Sequence, residues 1–128
     1  MEKVSSNRSF KGVHEVWSHD SNATSCKMTF SIYLPDNPQG DKQKTLIWLS
    51  GLTCTEENFR VKSGVQRFAS EHNMIIVSPD TSPRGENVPD DPNYDFAQGA
   101  GCYLNATEEP RAEKFYMYKN VVEEIVEL

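Results

Sequence analysis

The stretch Leu46-Ile47-Trp48-Leu49-Ser50-Gly51-Leu52-Thr53-Cys54-Thr55 limits what this chain can fold into. Its apolar run, Leu46 to Leu49, is bounded by Gly51 and predicts a short strand that enters a turn. The run does not alternate with polar residues, so both faces of the strand are expected to be covered, as in a parallel sheet. Thr55-Glu56-Glu57-Asn58 then offers a hydroxyl cap with acidic residues in the first turn, which predicts a helix start. Ligands of open α/β sheets gather beyond the carboxyl ends of such strands, where Ser50–Thr53 would sit. Gly51 is expected to let the backbone of that turn approach a small group, with its amides aimed at a developing negative charge.

The rest of the chain supports an α/β reading. Cys26, Met28, Phe30, Ile32 and Leu34 alternate with Lys27, Thr29, Ser31 and Tyr33, the period of a half-buried strand. Ser9–Trp17 is expected to pair with it as an antiparallel hairpin, with Ser18-His19-Asp20-Ser21-Asn22 as the loop. Pro35–Asp41 is dense in turn formers and predicts a surface loop. The central strand is expected over Thr45–Leu49, followed by a helix that breaks near Ser63-Gly64. A second helix, Val65–His72, would bury Val65, Phe68 and Ala69, and a second apolar strand follows at Met74–Val77. Strand, helix, strand makes a right-handed βαβ unit. From Ser78 to Pro110 the prolines and glycines exclude a long helix, and Tyr94, Phe96 and Tyr103 are expected to pack this loop under itself. Glu113–Leu128 carries Phe115, Tyr118, Val121, Val122, Ile125 and Leu128 at helical spacing, an amphipathic helix whose apolar face needs a partner.

Composition narrows the function. A chain of 128 residues suffices for one modest core, and 37% hydrophobic with 25% charged residues is an ordinary soluble balance. The net charge of −6 and the lack of a basic stripe argue against a nucleic-acid surface. No apolar run approaches the roughly 20 residues that cross a bilayer, and Met1–Phe10 is too polar for a signal peptide, so the cytosol is the expected location. Cys26, Cys54 and Cys102 are few, odd in number and widely spaced, which reads as buried free thiols rather than a disulfide framework or metal site. Two N-x-T sequons, at Asn22 and Asn105, carry no weight without a secretory route.

Catalytic motifs are sparse. The nucleophile elbow G-x-S-x-G is absent, and Gly99-Ala100-Gly101 lacks the preceding strand and third glycine of a dinucleotide loop. His14, His19 and His72 neighbour no nucleophile in sequence and read as structural or surface residues. The adjacent pairs Glu56-Glu57, Asp90-Asp91, Glu108-Glu109 and Glu123-Glu124 point apart on any regular element, which excludes them as acid/base pairs. Cys54 differs: it sits in the turn after the central strand beside a helix start, an environment that can activate a thiol. Catalysis there would still require a base.

The run Trp48–Phe59 resembles that of the S-formylglutathione hydrolase (esterase D) family. Further similar pieces follow in order: Lys62-Ser63-Gly64, Ala69–His72, Ser78–Gly85, Gly99–Tyr103 and Asn105–Glu108, together with Cys26–Met28 and Tyr33–Pro35 earlier. The resemblance covers almost the whole chain. It implies the N-terminal part of an α/β-hydrolase fold, with residues 1–128 a partial domain that stops before the nucleophile elbow. It also implies thioester hydrolysis of S-formylglutathione to glutathione and formate, in formaldehyde removal, with side activity on simple carboxylic esters. The implied mechanism is an acyl-enzyme route through a Ser-His-Asp triad, without a cofactor, in homodimeric relatives. All three triad residues would lie beyond Leu128, so the chain alone is expected to be inactive. Of the catalytic apparatus, the resemblance assigns the backbone N–H of Leu52 to the oxyanion hole, and Cys54 to a near-site thiol. It places the Met74–Val77 strand between the hairpin and Leu46–Leu49, leaving Leu46–Leu49 at an open edge. A non-catalytic interaction module, pairing through that edge and the last helix, is the alternative expectation.

Overall fold

The computed structural model describes all residues, 1–128. A five-stranded mixed sheet runs in the order β1-β2-β3-β5-β4. The strands are β1 (Glu2–Arg8), β2 (Gly12–Ser21), β3 (Cys26–Pro35), β4 (Lys44–Ile47) and β5 (Met74–Pro79). β2 and β3 form the expected hairpin, and β4 and β5 are the parallel pair of a βαβ unit. Between them lie α1 (Glu56–Lys62) and α2 (Val65–Glu71).

β2 and β3 stay in register from Gly12↔Pro35 to Ser21↔Cys26, so the loop is four residues shorter at its start than the polar cluster suggested. Ser21 is buried because Glu124 and Asn120 of the last helix bond to it, and Ser18, on the opposite face of β2, is buried as well. At the other end of the hairpin, a Cβ on Gly12 would come within 2.5 Å of Tyr33 Oη, so only glycine fits. β1 has no apolar alternation and was not expected. Its pairing comes from the β2 backbone, and its polar residues suit an edge. Lys3 reaches Glu15 at 2.6 Å and lies over the Trp17 ring. The bond from Lys3, aided by Trp17 and Ser6 against the cost of burial, holds the Glu15 carboxyl below its ordinary range.

Strand alternation sorts the core into two layers. On one face Tyr33, Ala69 and Ile76 pack with Phe59, Val65 and Met74, under α1 and α2. On the other Phe30, Val77 and Ile125 pack with Ile32, Ile47 and Ile75, under the last helix. β3 is therefore covered on both sides rather than half-buried on one. Thr55 caps α1 in a capping box with Asn58, and Gly64, at φ 65°, turns the chain into α2. Val65 and Ala69 of α2 pack on the Tyr33 and Ile76 layer as expected, but Phe68 is exposed and Gln66 is buried.

The last helix starts later than its periodicity suggested. It consists of α3 (Met117–Lys119), a π-helical turn (Asn120–Glu124) and α4 (Ile125–Glu127). Met117, Val121 and Ile125, four apart, face the sheet with Asn120, whereas Tyr118, Val122 and Leu128 are exposed. Phe115 precedes the helix and joins Val88 and Ala97 under the long loop. The expected loop aromatics Tyr94, Phe96 and Tyr103 are all exposed, and the packing falls to Val88 and Ala97 against Phe115. β4 ends as an open edge: Leu46 and Trp48 are 43% and 44% exposed, so the covering on both faces expected from its apolar run is absent.

Glu124 fastens the last helix to the β2–β3 turn, accepting hydrogen bonds from Ser21 Oγ, the Ala23 N–H and Asn120 Nδ2. Burial raises its carboxyl, but the bonds from Ser21, Asn120 and the turn amides outweigh that and leave it below its ordinary value. Its contribution is then complete above the unfolded value of about 4.3 and is lost as pH falls through the lower folded value. Glu124→Gln is expected to lower stability at pH 7 by about 1 kcal/mol, discounted for partial exposure. Urea unfolding at neutral and acid pH should also show a shallower acid loss in the variant than in the parent.

Candidate active-site turn

β4 delivers the chain into the turn with one more parallel bond, Trp48 N–H to Val77 O at 2.8 Å. Beyond it, the loop after β5 grips residues 50–54 from several sides. The Ser50 carbonyl accepts from Thr81 Oγ1 at 3.0 Å and Tyr103 Oη at 2.8 Å. The Thr53 N–H donates to Gly99 O at 2.7 Å, and the Cys54 N–H closes the turn on Gly51 O. The Cys54 carbonyl accepts from Arg84 Nη2 at 3.0 Å. Arg84 is itself fixed by Asp80, Nε to Oδ2 at 2.6 Å, with that carboxylate buried. Such charge-assisted, forked contacts orient a guanidinium closely.

The left-handed residue of the turn is Thr53, at φ 63°, not Gly51. A Cβ at Gly51 would meet nothing within 4 Å, so Gly51 is not the residue whose smallness shapes the turn. That residue is Gly101 across the gap. It has φ +76°, and a Cβ there would lie 3.1 Å from Gly51 O and 3.3 Å from Leu52 N. A non-glycine residue held at positive φ stores strain of about 1–3 kcal/mol, which the surrounding bonds must offset. Within this grip the Leu52 N–H is left without a partner in the chain, on an exposed residue. A fixed, unengaged amide at a strand end can receive charge that develops on a substrate oxygen.

Cys54 is half-buried beside this amide, in an open groove of about 400 Å³ with Trp48, Asn58, Phe59 and Lys62. Trp48 and Phe59 stack at 4.2 Å to form its apolar wall. No histidine approaches the thiol: His14 lies edge-on to Tyr33, His19 edge-on to Phe30, and His72 ends α2. The other two cysteines are free and half-buried rather than fully buried. Burial raises the Cys102 thiol above its ordinary value, which disfavours its thiolate. On the far side of Gly101 a second hollow, about 450 Å³, is lined by Ala97, Ala100, Cys102, Tyr103 and Phe115. Asp80 and Arg84 had no role in the sequence reading. Their only signal was the Ser78–Gly85 piece of the resemblance, which named residues without saying what they hold.

The family model named Esterase ("Putative esterase") matches residues 21–128. The chain belongs to this esterase family. It is 49% identical over its whole length to an S-formylglutathione hydrolase of Mus musculus, and 48% to that of Rattus norvegicus. It spans 46% of the length of each of these curated relatives, over their N-terminal portion. A solved S-formylglutathione hydrolase from Agrobacterium tumefaciens superposes with a TM-score of 0.94 at 44% identity, over 98% of this chain and 46% of that one. A ferulic acid esterase structure, 16% identical, covers 92% of the chain and 41% of its own at TM-score 0.62 and shares the fold alone. The architecture is thus that of an α/β-hydrolase-type esterase, seen in part. No helix of the chain is long and apolar enough to cross a membrane.

Gly101→Ala adds both a strained φ and a methyl against the Leu52 backbone. It should destabilise by about 1–3 kcal/mol and shift the amide resonances of Leu52 and Thr53. Gly51→Ala should leave those resonances near their original positions. An NMR comparison of the two variants tests which glycine the turn depends on.

Proposed function

We propose that residues 1–128 supply the oxyanion-binding half of an S-formylglutathione hydrolase, the rest of the active site lying in sequence beyond Leu128. The single observation that carries this reading is the unengaged Leu52 N–H in a turn gripped by Thr81, Tyr103, Gly99 and Arg84. Its support is that this turn lies in a chain matching S-formylglutathione hydrolases along its whole length. In the proposed reaction a serine hydroxyl from the remaining half attacks the formyl carbonyl, and its proton passes to the triad histidine. The carbonyl oxygen becomes an oxyanion that accepts from Leu52 N–H. Glutathione then leaves as its thiol, taking that proton, and water attacks the acyl-enzyme to release formate. Thioester hydrolysis in formaldehyde removal, side activity on simple esters and a cytosolic location belong to the same proposal, as does a homodimeric whole protein. Cys54 acts as a neighbouring thiol whose modification obstructs the site, not as the nucleophile.

One observation favours a second reading. β4 is an open edge flanked by exposed Leu46, Trp48 and Leu49, and the last helix exposes Val122, Val126 and Leu128. A chain acting by itself as a non-catalytic module would pair through these surfaces. Size-exclusion chromatography separates the two: a discrete, cooperatively melting oligomer supports the module, and aggregation supports the partial domain.

Residues 1–128 alone should neither hydrolyse S-formylglutathione or p-nitrophenyl acetate nor react with a fluorophosphonate probe. Fused to the remaining C-terminal portion of the Mus musculus relative, they should do both. In that fusion Leu52→Pro, which removes the N–H, should lower kcat by about 10²–10³. Leu52→Ala should keep most of the rate, because a backbone donor makes no demand on its side chain. Turnover by residues 1–128 alone that Cys54→Ala abolishes would overturn the reading.

A further inference from the structure

At the opposite edge of the sheet from β4, strands β1 and β2 and helix α1 enclose a cavity of about 290 Å³. Its polar wall is Ser5, Asn7, Arg8, Ser9, His14 and Arg60. Ser5 and Asn7 pair with Val16 and His14 in the β1–β2 ladder, so these side chains share one face of the sheet. Arg60 approaches the same space from α1.

The chemistry of this wall has one sign. Every polar side chain in it can donate a hydrogen bond, and no carboxylate lines it. Ser6, on the other face, donates to Glu15, whereas the side-chain polar groups of Ser5, Asn7 and Ser9 are not engaged by the chain. Arg60 Nε is buried without a partner. Gln66 Nε2 donates to Arg60 O at 2.6 Å and lies 3.4 Å from His14 Nδ1. An amide nitrogen only donates, so Nδ1 accepts, and the proton of the neutral ring sits on Nε2 as a further donor.

Both arginines of the wall are ion-paired from outside it. Arg60 is paired with Glu57 at 3.0 Å, and Arg8 with Asp36 through two bonds at 2.7 Å. Both carboxylates lie outside the cavity wall. Burial, and then the positive field of Arg60, push His14 below its ordinary value. The groups around that ring are Arg60 from α1, Gln66 from α2, Asn7 and Arg8 from β1, and Tyr33 edge-on from β3. None of them places a negative charge in the cavity.

We propose that this cavity binds a small tetrahedral oxyanion, a phosphate group held between the Arg60 guanidinium and the His14, Ser5 and Asn7 donors. A forked guanidinium with convergent neutral donors suits phosphate oxygens. The site is remote in the sheet from the Leu52 turn and does not depend on the esterase reading. Its phosphate has two possible sources, inorganic phosphate and a small phosphomonoester.

The test is an NMR titration of residues 1–128 fused to the C-terminal portion of the Mus musculus relative with sodium phosphate, against sodium chloride at equal ionic strength, with glycerol 3-phosphate as a parallel arm. The expected result is saturable shifts at Ser5, Asn7, His14 and Arg60 and a rise in the His14 pKa, because a bound anion favours the imidazolium. Arg60→Gln should weaken binding at least about tenfold. His14→Gln provides a second variant if Arg60→Gln loses the dispersed spectrum of the fold. Tighter binding of glycerol 3-phosphate marks a phosphomonoester as the ligand, and tighter binding of phosphate marks the free ion. No saturable shift below about 50 mM of either anion, or shifts that survive both substitutions unchanged, would overturn the proposal.

Discussion

The carbonyl of Ser50 accepts from two side chains, Thr81 and Tyr103, that reach it from a segment far along the chain. Everything proposed for the turn depends on that double acceptance. A carbonyl at the end of a strand has two lone pairs, and filling both from one loop fixes its plane and that of the peptide following it. The neighbouring amides are then constrained in turn: the Thr53 N–H is spent on Gly99 and the Cys54 N–H on Gly51, which leaves Leu52 facing outward. Arg84, locked by Asp80, closes the grip at the Cys54 carbonyl. An amide fixed before the reaction begins needs no reorganisation when charge develops, which is the source of its catalytic value.

The same arrangement explains how a loop from residue 80 to residue 103 can be long and still packed. It contains no regular element, but its backbone and side chains are committed to the turn and to the Val88–Ala97–Phe115 cluster. Glu56 stands at the rim of this grip, and burial, with a smaller push from Asp80, raises its carboxyl above its ordinary value. Asp80 itself is held by Arg84 through two bonds, Nε to Oδ2 and Nη2 to Oδ1.

Much of the fold was legible in the sequence, because the signals were local. Alternation over Cys26–Leu34, the apolar runs at Leu46–Leu49 and Met74–Val77, and the Thr55 cap each gave the right element. The order of strands followed from the family resemblance and not from periodicity. β1 escaped notice because an edge strand held by backbone bonds and a Lys3–Glu15 pair needs no apolar pattern. On the last helix Val121 and Ile125 are buried as expected, but Tyr118 and Val122 fit helical spacing as well and are exposed, while Met117 is buried. Only contact with the sheet, together with the π turn, decides between them. At the turn, Gly51 drew attention because it lies within the motif. The glycine that matters, Gly101, acts across space, which no spacing rule reveals.

The central claim is that Leu52 N–H is placed to hold an oxygen carrying negative charge. The most direct measurement is a crystal structure of the fusion with the C-terminal portion of the Mus musculus relative, inhibited by a phosphonate that mimics the tetrahedral intermediate. The account predicts a phosphonyl oxygen about 2.7–3.1 Å from Leu52 N, with the Thr81, Tyr103 and Arg84 bonds in place. A phosphonyl oxygen turned away from that amide, with Leu52 N bonded instead to solvent or another backbone group, would contradict it.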